Sequence, residues 1–270
     1  MHSSPTLRVL AATALVVVGP RARLAAQIDY RNLDDDRPVR VEDAYPVERY
    51  AFELLIPYSF ERERGGNSVH ASVLELAYGA FRNTHVGVKA PLAAVRDAGS
   101  TAWGLAGLRA FALYNVNTES PLLPALSLRG DVTFPVGPFG GSETQVGLKA
   151  IATRSWGRSR VHVNAAYRFG PDSAPAAVEG LERWWYGAAV DRTLFRQSLL
   201  VVAAVYAKKL VEAAPVEVNA SLGLRWQWRP NTVLDVGLSR RLRNAVGPDY
   251  AVTFGISNAF AIAGLMPRGR

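Results

Sequence analysis

From residue 47 onward the chain alternates between apolar and polar positions. In 51–61, Phe52, Leu54, Ile56, Tyr58 and Phe60 share one parity, and Ala51, Glu53, Leu55, Pro57 and Ser59 share the other. Strand side chains point alternately to two faces, so this stretch has one wholly apolar face and one mixed face. Twelve segments carry the pattern: 47–61, 69–81, 84–92, 102–116, 125–136, 144–153, 160–169, 183–194, 198–208, 216–228, 232–242 and 250–262. The cleanest is 125–136, where Leu126, Leu128, Val132 and Phe134 oppose Ser127, Arg129, Asp131 and Thr133. In 102–116 the pattern is blurred by Phe111 and Leu113, and 198–208 is apolar on both faces and has no phase.

The connections sort by parity. After odd-numbered segments they are mostly long and polar or rich in Gly and Pro; after even-numbered ones most are tight, with 117–124 the exception. An even strand count with short turns at one end and longer loops at the other predicts an all-β fold, a transmembrane antiparallel up-and-down β-barrel of about 12 strands. In lipid every backbone N–H and C=O needs an internal partner, so strands that cross a membrane must close into a ring. No window approaches the roughly 18 consecutive apolar residues of a spanning helix.

Charge supports the barrel over a soluble sandwich. The mixed faces carry Glu53, Glu75, Asp131, Asp191, Glu217 and Asp235 against Lys89, Arg109, Arg129, Lys149, Arg160, Arg168, Arg225 and Arg241. Burying so many ions in a dry core costs several kcal/mol each unless they are paired, whereas a polar lumen accommodates them. These residues, with His85 and His162, are the lumen-facing candidates. The opposite faces are nearly free of charge; Arg192 and Arg240 break the rule near strand ends, where long side chains reach headgroups. Aromatics gather at strand ends, as interfacial girdles do, and Phe260 is the expected aromatic close of the last strand. Lys89 and Lys149 stand in similar contexts, GVKA and GLKA, and are expected either to face each other across the lumen and favour anions or to pair with Glu53, Glu75 or Asp131.

The segments outside the barrel divide as follows. Residues 1–26 read as an export signal, with Arg8 before the apolar run 9–18 and Leu24-Ala25-Ala26 before the cleavage point. Residues 27–46 form an acidic periplasmic N-terminal segment expected to fold into or against the periplasmic mouth, 47–262 the barrel, and 263–270 a tail. The run Asp34–Asp36 is expected to be a solvated charge cluster.

The chain has no cysteine and a formal charge of +8, but its basic residues are scattered singly, so no nucleic-acid partner is expected. No histidines stand at metal-ligand spacing, and no cofactor or metal is expected. A Gly-x-Ser-x-Gly elbow is absent; a hydrolase would have to use His162 with Ser127 or Asp131. The expected partners are outer-membrane lipid, a small-molecule solute and the barrel-assembly machinery.

Residues 37–92 carry a family resemblance. Arg37-Pro38, Glu42-Asp43-Ala44-Tyr45-Pro46, Phe52-Glu53, Glu75-Leu76-Ala77-Tyr78-Gly79, Asn83-Thr84 and Pro91 resemble the outer-membrane proteins grouped under the MetA pathway of phenol degradation and labelled as transporters. The resemblance implies a barrel of about twelve strands in the outer membrane of a Gram-negative-type bacterium. It transfers no catalytic residue. The expected function is passive uptake or export of small molecules, aromatic or amphipathic ones included. The alternatives are an outer-membrane enzyme acting on lipid and a structural or surface-binding barrel with a blocked lumen.

Overall fold

The computed structural model describes residues 26–63, 66–97, 99–173, 178, 180–194, 197–243 and 247–266. The expected export signal therefore lies outside the described residues, except for Ala26. Thirteen strand segments are described: β1 Ala51–Arg62, β2 Ser68–Phe81, β3 Thr84–Asp97, β4 Ser100–Leu105, β5 Leu108–Asn117, β6 Ala125–Phe134, β7 Gln145–Trp156, β8 Ser159–Phe169, β9 Trp184–Leu194, β10 Leu199–Lys209, β11 Glu217–Arg229, β12 Thr232–Arg243 and β13 Tyr250–Ala261. A short 3-10 turn, Ala263–Leu265, follows.

All pairings between these strands are antiparallel, and β13 pairs with β1, which closes the ring. The barrel has twelve staves, because β4 and β5 share one. The β4 strand pairs with the far half of β3, from Leu92↔Leu105 onward, and β5 with its near half, ending at Lys89↔Arg109. Between them Ala106 N–H donates to Pro91 O (2.9 Å) and Gly107 N–H to Val136 O (2.9 Å), with Gly107 at φ 94°. This break shifts the alternation. Trp103 and Leu105 face outward before it, and Leu108 and Tyr114 after it. An extra residue that offsets a ladder in this way is a bulge, which is why a single strand over 102–116 is corrected to two.

The outer surface is the apolar parity. Leu74, Val88, Leu128, Leu148, Val163, Val205, Leu222 and Phe254 are exposed there, a surface suited to hydrocarbon. Closure is reinforced by an aromatic stack across the seam, where Phe52 of β1 lies 5.3 Å from Phe260 of β13 and 4.5 Å from Tyr78 of β2. No described helix is long and apolar enough to span a membrane.

Residues 26–50 lie inside the ring. The segment enters from the short-turn end, where Ile28 N–H donates to Pro230 O (3.0 Å), and turns at Asp34–Arg37. It then returns to the same end, where Tyr50 N–H donates to Gly79 O (2.8 Å) before β1 begins. Leu33 N–H donates to Asp43 (3.2 Å) and Asp43 N–H to Leu33 O (3.1 Å), tying the two limbs together. The segment expected to fold into or against the mouth thus reaches deep into the ring. The reading of Asp34–Asp36 as solvated is corrected, since their side chains are only 14%, 6% and 21% exposed.

The lipid-facing assignment makes a direct prediction. Leu222→Arg, near the middle of β11 on the outer face, should destabilise the barrel by about 2–4 kcal/mol in chemical unfolding from lipid vesicles. An unchanged unfolding midpoint would show that this face does not contact hydrocarbon.

Candidate functional site: an occupied lumen

The lumen is built from the inward parity of every stave. Fifteen of the sixteen candidates are buried there, and Arg241 is half-buried. They fall into groups around the inserted segment.

The first group surrounds Asp35 at the tip of the turn. Its carboxylate receives Lys89 (3.2 Å), Arg129 (3.2 Å), Arg109 (3.5 Å) and Lys149. The two lysines therefore meet at one anion instead of facing each other across an open lumen. Glu75 pairs with Lys89 (3.2 Å), Asp131 with Arg129 (3.0 Å), and Glu42 with Arg129 (2.9 Å) and Lys149 (3.2 Å). Phe111, the residue that blurred its strand pattern, lies under the Arg129 guanidinium at 4.1 Å. Its inward position is a cation–π contact.

A second group holds the other side of the turn. Arg225 pairs with Asp34 (2.7 Å), and Arg37 bridges Asp34 (2.9 Å), Asp235 (3.3 Å) and the Ser257 hydroxyl (3.0 Å). Glu53 lines the same small space as Asp34, Glu75 and Arg129. Arg40 continues toward the long-loop end, pairing with Asp36 (2.6 Å) and Glu182 (2.7 Å). Glu217 sits higher, 3.7 Å from Lys208.

A third group is centred on Arg160, which pairs with Asp43 (3.0 Å) and Asp191 (2.7 Å). His162 bonds Asp191 at 3.0 Å through Nε2 and the Thr153 hydroxyl at 3.0 Å through Nδ1. The partners imagined for His162, Ser127 and Asp131, belong elsewhere: Ser127 donates to Ala44 O (2.6 Å) and Asp131 pairs with Arg129. Arg168 and Arg241 stand apart from the inserted segment. Arg168 donates to Ser173 O (2.7 Å), and Arg241 pairs with Asp249 at the long-loop mouth.

Among the described residues the inserted segment has no strand partner in the wall until Arg49, so wall side chains satisfy its backbone. Asn164 and Glu42 exchange two bonds, at 2.8 and 2.9 Å. Thr153 accepts from Ala44 N–H (3.0 Å), Asn115 donates to Ala44 O (2.9 Å), and His85 Nδ1 accepts from Val47 N–H (3.0 Å). Asn115, Thr153 and Asn164 were absent from the candidates. Each is an uncharged polar residue on the inward parity, and that position is its signal in the sequence.

Where the segment presses closest, the wall is glycine. A Cβ on Gly79 would lie 1.9 Å from Glu48 O, and one on Gly237 1.9 Å from Pro38 O. Strand glycines mark close backbone approach, and these two are positions where any side chain would strike the insert. Elsewhere the contact is apolar. Val39, Val41, Leu33 and Ile28 pack on Trp185, Leu200, Val202, Tyr206 and Val233. The inward side of β10 is thus covered by the insert and its outer side belongs to the exposed apolar parity, so 198–208 is apolar on both faces. Small cavities remain at each end, about 180 Å³ beside Arg40, Tyr206 and Lys208, and about 330 Å³ beside Gln27, Tyr45 and Glu48.

Fold and lumen together define a twelve-stave barrel of the outer-membrane type, filled by its own N-terminal segment. Among solved structures, the chain is similar to an outer membrane channel from Pseudomonas putida F1, with TM-score 0.60 and 13% identity over 85% of this chain and 100% of that one. It is also similar to the KdgM porin (TM-score 0.51, 14% identity, 76% and 98% covered) and the NanC porin (TM-score 0.51, 8% identity, 78% and 100% covered). At these identities the likeness is one of fold. No family profile and no curated protein matches the chain, so the particular phenol-degradation family gains no support from them.

The charge arrangement sets the expected behaviour. Removing one member of a buried ionic cluster costs about 3–5 kcal/mol, so Asp35→Asn should loosen residues 26–50 by that order. The readout is protease cleavage within the segment in folded, membrane-embedded protein; equal resistance in variant and wild type would contradict the assignment. Acid should act in the same direction. Burial raises the Asp35 pKa, but Arg129, Lys149, Lys89 and Arg109 more than reverse that and hold it well below the ordinary 3.8; Asp34 and Asp36 are lowered too. Lowered carboxylates stabilise the seated form above their unfolded values and lose that contribution as pH falls through their folded ones. Glu42 and Asp43 are raised, chiefly by burial, so their protonation in mild acid does not unseat the segment. Release measured by protease access should therefore begin only below about pH 4. Release at pH 5–6 would contradict this sign.

Proposed function

We propose that the protein is an outer-membrane channel for small solutes, closed at rest by its own N-terminal segment and conducting when that segment gives way. One observation carries the reading: the ring of strands closes without the insert. Among the described residues, the insert's only bridge to the wall ladder is Arg49↔Gly79, at the short-turn mouth. The segment can leave the lumen without breaking a rung between staves.

The lumen chemistry supports the solute class. With the insert displaced, one wall presents Trp185, Leu200, Val202 and Tyr206, and another presents Lys89, Arg109, Arg129 and Lys149. An apolar strip and a polar strip in one passage suit amphipathic and aromatic molecules. The resemblance of residues 37–92 to phenol-degradation transporters points the same way. Passage is passive in this reading, and residence in the outer membrane follows from the apolar outer surface and from the barrel fold shared with outer-membrane channels and porins.

Two observations favour other readings. The filled lumen fits a permanently blocked, structural barrel. The line Thr153–His162–Asp191 has the hydrogen-bond order of a hydroxyl nucleophile, base and orienting acid, which fits an enzyme. Thr153 and His162 are fully buried under the insert, however, and the Thr153 hydroxyl already accepts Ala44 N–H.

Planar-bilayer recording separates the three. Wild type should show low, intermittent conductance, and deletion of residues 27–46 a steady, larger one. If neither protein conducts, the channel reading fails and the blocked barrel stands. Lipid hydrolysis by wild type that is lost in Thr153→Ala would instead establish the enzyme.

A further inference from the structure

The outer face of the barrel carries a row of charge that the lumen does not explain. Arg240, Arg62 and Arg96 all take the outward parity, near the long-loop ends of β12, β1 and β3. The register places them in one row. Arg240 lies opposite Tyr250, Tyr250 opposite Arg62, Arg62 opposite Ser68, and Ser68 opposite Arg96. Neighbouring strands are about 4.8 Å apart, so successive arginines in the row root about 10 Å from one another.

None of the three forms an ion pair with a carboxylate among the described residues. The acids nearest them in their own strands, Glu61 and Asp97, take the lumen-side parity. Within the row at Tyr250 and just below it, toward the strand middles, the surface is aromatic. Phe60 packs on His70 at 4.9 Å and on Tyr250 at 6.1 Å, and Tyr58 OH and His70 Nδ1 share a hydrogen bond of 2.7 Å. Elsewhere on the long-loop rim the outward positions include the aromatics Trp103, Phe134 and Phe169, and the outward Lys209 of β10 is paired with Glu212 (3.4 Å). At the opposite rim, Arg192 of β9 lies next to Ser159 and its guanidinium donates to that hydroxyl (3.2 Å).

Guanidinium groups outside a membrane barrel, level with the polar–apolar boundary, face lipid headgroups. A bare cluster of like charge is unfavourable, and phosphate is the headgroup anion whose oxygens match the guanidinium fork. We propose that Arg62, Arg96 and Arg240 form a binding site for a lipid headgroup bearing more than one phosphate, drawn from the leaflet on the long-loop side. The spacing favours a lipid whose phosphates are separated along a rigid headgroup, so that two guanidiniums are met at once. The aromatic shelf of Phe60 and His70, continuous with Tyr250 in the row, takes the start of the acyl region. The site is independent of whether the lumen conducts.

The test is native mass spectrometry of the folded barrel in detergent, titrated separately with diphosphoryl lipid A, monophosphoryl lipid A and phosphatidylcholine. Each basic residue near such a surface contributes about a tenfold factor or somewhat less, so replacing all three arginines by alanine should weaken diphosphoryl lipid binding about a hundredfold. Monophosphoryl lipid should bind wild type more weakly than the diphosphoryl form, and phosphatidylcholine more weakly still. Arg192→Ala should bind as wild type does. Heat-dependent gel mobility confirms folding. Should the triple variant not fold, the single variants Arg62→Ala, Arg96→Ala and Arg240→Ala carry the test, each with a severalfold loss. Equal binding of diphosphoryl lipid and phosphatidylcholine by wild type, undiminished binding by the arginine variants, or displacement of the lipid by millimolar inorganic phosphate would each overturn the proposal.

Discussion

The lumen is governed by one constraint: four cations, Lys89, Arg109, Arg129 and Lys149, converge on the single carboxylate of Asp35. Unit charges of like sign 4 Å apart repel by about 4 kcal/mol at the effective dielectric of a partly wet protein site. A wall that gathers such a cluster needs anions or water inside it. Glu75 and Asp131 answer only part of the charge, and the acids of the inserted segment answer the rest. Seating of residues 26–50 and the basic character of the wall are therefore two sides of one arrangement.

Packing follows from that arrangement. Glycines at 79 and 237 let the insert's backbone approach the wall. Asn115, Thr153, Asn164 and His85 supply the bonds that a strand ladder would otherwise give. An apolar strip on β9 and β10 receives Val39 and Val41. The wall thus carries two different surfaces at once, apolar outside and mixed inside against a polypeptide. The ring of strands is itself closed, with Arg49↔Gly79 the insert's bridge to it among the described residues.

The barrel was legible in the sequence because lipid imposes a uniform rule on one face of every strand. Leu126, Leu128, Val132 and Phe134 show it with no exception, and loop lengths show where the turns fall. That the acidic segment folds into or against the mouth was legible; its depth and partners were not, because residues 26–50 have no period and their partners are set by register and closure. An acidic run such as Asp34–Asp36 looks the same whether it meets water or a basic wall. The pairing of Thr153 with His162 depends on a cross-strand register that spacing alone does not give. The split at Ala106-Gly107 was hidden for a related reason: a one-residue shift in alternation is easily read as a blurred strand. Phe111, Leu113 and the two-faced β10 were the traces of the insert in the sequence, inward apolar residues that a water-filled lumen would not need.

Hydrogen exchange of the full chain in lipid nanodiscs at neutral pH tests the central claim most directly. The amides of Glu42, Ala44 and Val47 donate to Asn164, Thr153 and His85, and the account predicts that they exchange orders of magnitude more slowly than an unstructured tail, though faster than amides of the strand ladder. Exchange of these three amides at the rate of a free peptide would show that the segment does not occupy the lumen, and the account of its charges would fall with it.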